Sequence, residues 1–169
     1  PRVIVSGYTT VPEEIYAGDS FEITMSMTNT SKLTAVTNMV FDIQSEQFNI
    51  DQNSTAAAFL PVSGSSSVFV DRIGPGETQE ISIEMTARTD LSPRPYVLNV
   101  KMNYEDTDKN PYETTASVSV PVKQQDKLEI STPEIMPESI DVGSQANIMF
   151  NIYNTGKTTL YNVMVRFSG

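Results

Sequence analysis

The residues best suited to chemistry in this sequence are Asp106, Asp108 and Asn110, which alternate along a polar stretch. Oxygen ligands at this spacing open a calcium-binding loop, which also needs a glycine at its sixth position and a bidentate glutamate at its twelfth. Here Pro111 stands at the sixth position and Ser117 at the twelfth. The sequence therefore predicts a solvated hairpin tip, with an adventitious cation site as the alternative.

Histidine and cysteine are both absent from the 169 residues. Their absence removes the Ser-His and Cys-His nucleophile pairs, disulfides and the usual zinc sites. Two carboxylates could still hydrolyse a glycoside, but Glu22, Glu80 and Glu84 are expected on outward faces of strands. We therefore predict no catalytic residue, no cofactor, no cofactor-binding residue and no metal ligand, and we expect that the protein is not an enzyme. Any ligand-binding residue stays unknown at this stage.

The net charge is −10, and the eleven basic residues form no cluster. Nucleic acids and anionic membranes are bound through clustered Lys and Arg, so neither is expected as a partner. No run of 18 apolar residues is present, which argues against a membrane-spanning segment. A signal peptide is also missing, so we expect an excerpt of a longer exported protein whose anchor lies outside residues 1–169.

Two further features bear on carbohydrates. The triplets that begin at Asn29 and Asn53 fit the N-glycosylation sequon, which matters only in a eukaryotic secretory pathway. Tyr16, Tyr112 and Tyr153 are candidates for exposed rings on which sugars could stack, although the chain has no tryptophan. An accessory carbohydrate-binding module of a secreted enzyme is therefore the alternative function.

Apolar and polar residues alternate with a period of two along most of the chain, which predicts half-buried β-strands. The strongest alternating segments are 21–27, 39–43, 81–85, 96–104 and 116–122, preceded by a β-branched strand at 2–10. No segment has a convincing helical period, although the run 56–58 fits one helical turn. Residues 45–67 are interpreted as a long connection that crosses between two sheets.

About seven short strands separated by turns predict an all-β, two-sheet antiparallel sandwich of the immunoglobulin type. Tyr96, near the start of the penultimate strand, is either a tyrosine corner or a plain core tyrosine. Antibody domains also carry a core tryptophan and a cysteine pair, and this chain has neither. The likeness to antibody domains is therefore one of architecture only.

The segment 12–34 is repeated 125 positions later with nine identities and no gap. The identical pairs are Pro12/Pro137, Glu13/Glu138, Ile15/Ile140, Gly18/Gly143, Ile23/Ile148, Asn29/Asn154, Thr30/Thr155, Lys32/Lys157 and Thr34/Thr159. One residue is then dropped, and Asn38 meets Asn162. A fixed period of this length is the size of a whole domain.

The repeat divides the chain into a complete sandwich at residues 1–123 and the first half of a second sandwich at residues 124–169. Half a sandwich leaves its inward side chains without an opposing sheet; these are Ile148, Phe150, Ile152, Val163, Val165 and Phe167. We therefore expect these strands to pack on the first copy or on another chain, by edge pairing or strand exchange. Self-association through the incomplete repeat is one form of this expectation.

The repeated segment also resembles a known family. The pattern runs from Pro137 to Gly143, through an alternating strand, to residues 154–157 and 160–165. It resembles the opening half of the S-layer-like repeat domains of bacterial and archaeal surface proteins. It is similar, too, to bacterial cell-adhesion-related domains. Residues 73–77 resemble the middle turn of such domains, and residues 96–106 resemble their late strand and hairpin.

The resemblance implies an immunoglobulin-like module of an exported bacterial protein at the cell surface. Members of such families act as spacers, adhesive modules or companions of surface enzymes, and no catalytic residue is implied. Two departures from the repeat are Ser31, where Gly156 stands in the second copy, and the insertion at 45–67. The partner, whether a protein or a cell-wall polysaccharide, is not specified by the resemblance.

Overall fold

A computed structural model describes residues 1–168. The chain divides into two compact units, which we call unit 1 (Pro1–Lys123) and unit 2 (Gln124–Gly169). The strands of unit 1 are β1 (Val3–Val11), β2 (Ile15–Tyr16), β3 (Ser20–Asn29), β4 (Val36–Ser45), β5 (Gln47–Asn49), β6 (Thr55–Ala57), β7 (Phe59–Pro61), β8 (Ser67–Ile73), β9 (Thr78–Ala87), β10 (Pro95–Asp106) and β11 (Pro111–Lys123). Those of unit 2 are β12 (Leu128–Ile130), β13 (Glu134–Met136), β14 (Asn147–Met149) and β15 (Ile152–Asn154).

Unit 1 is an immunoglobulin-like β-sandwich, antiparallel except for the short β2, which pairs parallel with β11. One sheet has the order β1-β3-β9-β7, and the other has the order β2-β11-β10-β4-β8. These orders correspond to the A-B-E-D and G-F-C arrangements of immunoglobulin domains, with β2 and β8 added at the two edges of the second sheet. The predicted all-β fold class is confirmed, and no helix is present among residues 1–168.

The period-2 alternation explains why these segments form strands with one buried face. Along β3 every second residue from Phe21 to Asn29 is buried, and along β10 every second residue from Tyr96 to Asp106 is buried. The inward side chains of both sheets form one core, in which the rings of Phe21 and Phe59 meet edge to face at 5.2 Å. Burying each large apolar side chain stabilises the fold by roughly 1.5–3 kcal/mol.

Tyr96 has the geometry of a tyrosine corner. Its ring is buried at the start of β10, and its hydroxyl donates a hydrogen bond to the carbonyl of Ser92, four residues upstream, at 3.1 Å. The guanidinium of Arg94 lies over the same ring at 3.8 Å and pairs with Glu46. The main-chain bond distinguishes this residue from a plain core tyrosine.

Residues 45–67 cross between the sheets, as the sequence predicted. The chain leaves β4 in the second sheet, forms the small β5–β6 hairpin, pairs β7 with β9 in the first sheet, and returns to the second sheet at β8. The predicted helical turn at 56–58 is wrong. Ala56 and Ala57 lie in β6, where they pair with Phe48 and Gln47, because the hairpin partner satisfies their main-chain groups.

Unit 2 repeats the strand register of unit 1 at the same offset of 125 residues. The corresponding antiparallel pairs are Val3–Asn29, Val5–Met27 and Thr10–Ile23 in unit 1, and Leu128–Asn154, Ile130–Ile152 and Ile135–Ile148 in unit 2. The irregularity of β1 at Ser6 also recurs at Ser131, where the strand is interrupted and the hydroxyl bonds to the opposite strand. Thus β12 and β13 correspond to β1, and β14 and β15 correspond to β3.

Backbone conformations recur at the same places. Gly18 and Gly143 have φ values of +96° and +90°, and Asn38 and Asn162 have φ values of 51° and 55°. Positive φ is costly for most residues and is tolerated best by Gly and Asn, so the identities at these positions have a conformational cause.

The alternating residues 163–167 form no strand, contrary to the sequence expectation for this segment. Their counterpart in unit 1 is β4, which is hydrogen-bonded to β10 and β8 and not to β3. Within the described part of unit 2 no strand corresponds to β8 or β10. A strand needs a hydrogen-bonding neighbour, so alternation alone does not form one here.

Among residues 1–168 no helix has the length and apolar character required to cross a membrane.

Candidate interaction surfaces

The carboxylate of Asp106 is the most thoroughly hydrogen-bonded acid in the hairpin between β10 and β11. It accepts bonds from the main-chain N–H groups of Asp108 and Asn110, from the amide of Asn110, and from the hydroxyl of Tyr112 at 3.0 Å. Hydrogen bonds from the side chain and main chain of Asn110 lower the pKa of Asp106 to about 2. The bond that Tyr112 donates to Asp106 also raises the pKa of the Tyr112 phenol.

The geometry at Asp106 gives this residue a structural task. Its side chain closes the tight turn in which Lys109 has a φ of 64°, and both of its oxygens already accept protein hydrogen bonds. The described residues contain no group of three or more acids that could hold a metal ion together. The turn therefore explains the acid at position 106, whereas Asp108 contributes its main-chain N–H.

The depressed pKa of Asp106 predicts a pH-dependent stability. The unfolded chain takes up this proton near the ordinary pKa of 3.8, whereas the folded chain does so only near 2. The unfolded state therefore binds more protons between these values, so the stabilisation is present above pH about 4 and is lost as the pH falls through about 2. We expect the gap in unfolding free energy between the wild type and Asp106→Asn to shrink over this range.

This prediction is checked by urea unfolding in a pH series from 5 to 2. Asp71→Asn, which removes an exposed carboxylate of β8, controls for the change in net charge. A gap between wild type and Asp106→Asn that stayed constant across the series would contradict the assigned role of the hydrogen bonds.

The acids on β3 and β9 lie on the outward face, as predicted. Glu22, Glu80 and Glu84 are all exposed, and Glu22 stands opposite Glu84 in the β3–β9 register. Like charges on opposite positions of a sheet are mildly destabilising. These carboxylates form part of a solvated surface.

The same outward face carries a ladder of hydroxyl groups that the sequence interpretation missed. Hydroxyl pairs at 2.7–2.9 Å join neighbouring strands; they are Ser6–Thr28, Thr28–Thr78, Thr24–Ser82 and Ser20–Thr86. The signal in the sequence was the Ser and Thr content at the polar positions of both β3 and β9. Such cross-strand pairs stabilise the sheet surface.

The candidate tyrosines of unit 1, Tyr16 and Tyr112, do not present free rings for sugars to stack on. Tyr16 is half-buried, and Tyr112 stacks on Tyr104 with ring centroids 5.6 Å apart and is bonded to Asp106. Tyr153 belongs to unit 2 and is exposed. Within unit 1 the structure thus gives no pair of adjacent free rings at Tyr16 and Tyr112.

Asn29, the first residue of one sequon, is fully buried. Its amide donates to the carbonyls of Thr34, Ile73 and Gly74 at 2.9–3.3 Å, and its oxygen accepts from the N–H of Ser31. These hydrogen bonds therefore hold the end of β3 against two loops. Because the side chain is buried, it is inaccessible to a modifying enzyme. Asn53 lies at an exposed loop tip.

Unit 2 presents exposed apolar side chains along β14 and β15. Ile148 in β14 and Ile152 in β15 are exposed, and Phe150, which lies between these two strands, is half-buried. Their counterparts Ile23, Met25 and Met27 are fully buried in unit 1. Large exposed apolar patches mark interaction sites or aggregation-prone surfaces, so this face is the leading candidate for an interaction.

No protein-family model matches the chain, and no curated protein matches it. Among solved structures it is similar to the ASH / PapD-like domain 7 of human CEP192, with 13% identity, a TM-score of 0.40, and coverage of 73% of this chain and 84% of that chain. It is also similar to the periplasmic chaperone SfaE, with 12% identity, a TM-score of 0.38, and coverage of 73% and 57% respectively.

A third similarity is to a family 123 glycoside hydrolase from Clostridium perfringens, with 12% identity, a TM-score of 0.23, and coverage of 70% of this chain and 27% of that chain. The chain thus spans less than two thirds of the length of SfaE and of the hydrolase. At such identities the similarities concern the fold and identify no ligand, partner or activity.

Proposed function

We propose that the chain is a non-catalytic, extracellular module of a bacterial cell-surface protein, acting as a structural spacer or as an adhesion domain. The observation that carries the proposal is the repetition of one strand register at an offset of 125 residues. Consecutive units of the same structure at a fixed period are typical of repeat arrays, in which each unit adds length or a binding surface. The resemblance to S-layer-like repeats supports the surface setting.

The proposal includes a second, incomplete copy of the sandwich at residues 124–169. It is supported by the common register, by the positive φ of the matching glycines and asparagines, and by the asparagine that ends both β3 and β15. Asn154 donates to the carbonyl of Thr158 and accepts from the N–H of Gly156, as Asn29 does from Ser31. The glycine at 156 has a steric reason, because a Cβ there would lie 2.9 Å from the main-chain nitrogen of Lys127.

The non-catalytic part of the proposal is supported by three of the acids. Asp106 is saturated by turn hydrogen bonds, Glu46 is paired with Arg94, and Glu14 is paired with Lys123. Without histidine or cysteine, a carboxylate pair would have to carry any general acid–base chemistry. Each of these acids instead has a structural partner.

The location is tested with antibodies raised against the 169-residue chain. We expect them to label intact cells of the bacterium that encodes the chain, and protease treatment of intact cells to remove the label. Labelling that appears only after lysis would contradict the surface setting.

The alternative function is tested with the same chain on a glycan array that includes bacterial cell-wall polysaccharides and plant polysaccharides. For a spacer or a protein-adhesion module we expect no specific binding. Specific binding that saturates in the micromolar range would instead support an accessory carbohydrate-binding module.

A further inference from the structure

The edge of unit 2 formed by β14 and β15 has a hydrogen-bonding neighbour on one side only. In unit 1, β3 lies between β1 and β9, and β9 pairs with it from Ser20 to Thr28. In the described part of unit 2, β14 and β15 pair with β13 and β12, and no strand occupies the position of β9. A strand edge with unpaired N–H and C=O groups is a template for another strand.

The side chains at this edge fit a particular kind of strand. In unit 1, Ile23 stands opposite Ile83, and Met25 stands opposite Ile81. The same register applied 125 residues later places apolar residues of an incoming strand opposite Ile148 and Phe150. Ile148 is identical to Ile23, and Phe150 is larger than its counterpart Met25. Ile148 is exposed and available to a partner, whereas the half-buried ring of Phe150 also meets Phe167 edge to face at 5.7 Å.

The charges at this edge also fit a strand like β9. The outward positions of β9 carry Glu80 and Glu84, and Glu84 faces the like charge of Glu22 in unit 1. The counterpart of Glu22 is Asn147, a neutral amide that can donate a hydrogen bond to a carboxylate. The edge of unit 2 therefore accepts acidic outward residues with less repulsion than β3 does.

We propose that unit 2 captures an extended segment with the chemistry of β9, which adds as an antiparallel strand along residues 145–153. The segment carries apolar residues at alternate positions and acidic or polar residues between them. Main-chain hydrogen bonds supply affinity, and the alternating apolar contacts fix the register.

The test uses the whole 169-residue chain and a labelled synthetic peptide with the sequence of Thr78–Ala87, capped at both ends. We expect saturable binding by fluorescence anisotropy, together with slower hydrogen exchange of amides within residues 145–153. A peptide in which Ile81 and Ile83 are replaced by serine is expected not to bind.

Two neighbouring substitutions provide a matched pair on the acceptor strand. Ile148 and Met149 are 55% and 59% exposed and point to opposite faces. Ile148→Lys removes apolar burial against the incoming strand and is expected to weaken binding at least about tenfold. Met149→Lys adds the same charge on the outward face and is expected to leave binding within about twofold. Both side chains are already exposed, so neither variant should unfold unit 1.

Three results would overturn the proposal. The first is that the peptide neither binds nor slows hydrogen exchange within residues 145–153. The second is that it binds but Ile148→Lys does not weaken the binding. The third is that the chain dimerises, Ile148→Lys abolishes the dimer, and the peptide neither binds nor competes. The last result would assign the edge to a second copy of unit 2. The inference deepens the proposed interaction role, but its failure would leave the surface location, which antibody labelling tests separately, unaffected.

Discussion

Replacing Ile23 by alanine is expected to lower the free energy of unfolding of unit 1 by about 2–5 kcal/mol, because the side chain is fully buried and the change leaves a cavity in the core. The identical substitution at Ile148 is expected to change the stability of the chain by less than about 0.5 kcal/mol. Ile148 occupies the same register position but is 55% exposed. Urea unfolding of the two variants measures both effects.

The comparison is informative because sequence and local register are shared while the surroundings differ. Ile23 is covered by β9 and by the opposite sheet, whereas Ile148 has no counterpart of either within the described residues. A loss of more than about 2 kcal/mol on Ile148→Ala would contradict this account, since it would mean that the side chain is buried in solution.

Asn29→Asp is expected to destabilise unit 1 by about 3 kcal/mol or more at neutral pH. The amide of Asn29 donates to three carbonyl oxygens in a buried site, and a carboxylate would replace those donors with negative charge. Unsatisfied buried carbonyls cost about 1–3 kcal/mol each, and a buried unpaired charge adds to that. Thermal unfolding at pH 7 measures the loss.

Asn154→Asp is the matched control for this substitution. Asn154 ends its strand in the same way but is exposed, so water can solvate the new carboxylate. We expect a change below about 1 kcal/mol. Lowering the pH towards 4 should partly rescue Asn29→Asp, because a protonated carboxyl group can donate one hydrogen bond. Equal effects of the two substitutions would refute the role of burial at Asn29.

Several elements of unit 1 were predictable because alternation encodes a two-faced strand. The segments 21–27, 81–85 and 96–104 lie in β3, β9 and β10 with the predicted residues inward. Successive residues of a strand point to opposite faces of the sheet. A sequence that buries one face therefore also restricts the register, because a shift by one residue would expose the buried side chains. The hairpin at 106–110 was predictable because the residues that form its turn are adjacent in the sequence.

Other features depend on groups that are far apart in the sequence. The bonds of Asn29 reach Ile73 and Gly74, which are 44 and 45 residues away, and no local pattern announces them. The run at 56–58 has helix-compatible residues, yet its pairing with β5 makes it a strand. Tyr96 required the structure to show that its hydroxyl reaches the main chain of Ser92.

The order of residues is enough to specify which residues alternate, where the turns fall, and that residues 12–34 recur 125 positions later. The folded structure is needed to establish which strands are neighbours, and hence which alternating segments become strands. Residues 39–43 form part of β4 because β8 and β10 flank them. The matching residues 163–167 have no such neighbours within residues 1–168 and are irregular. A strand makes its main-chain hydrogen bonds with other segments, whereas the alternation of apolar and polar residues is a property of its own sequence.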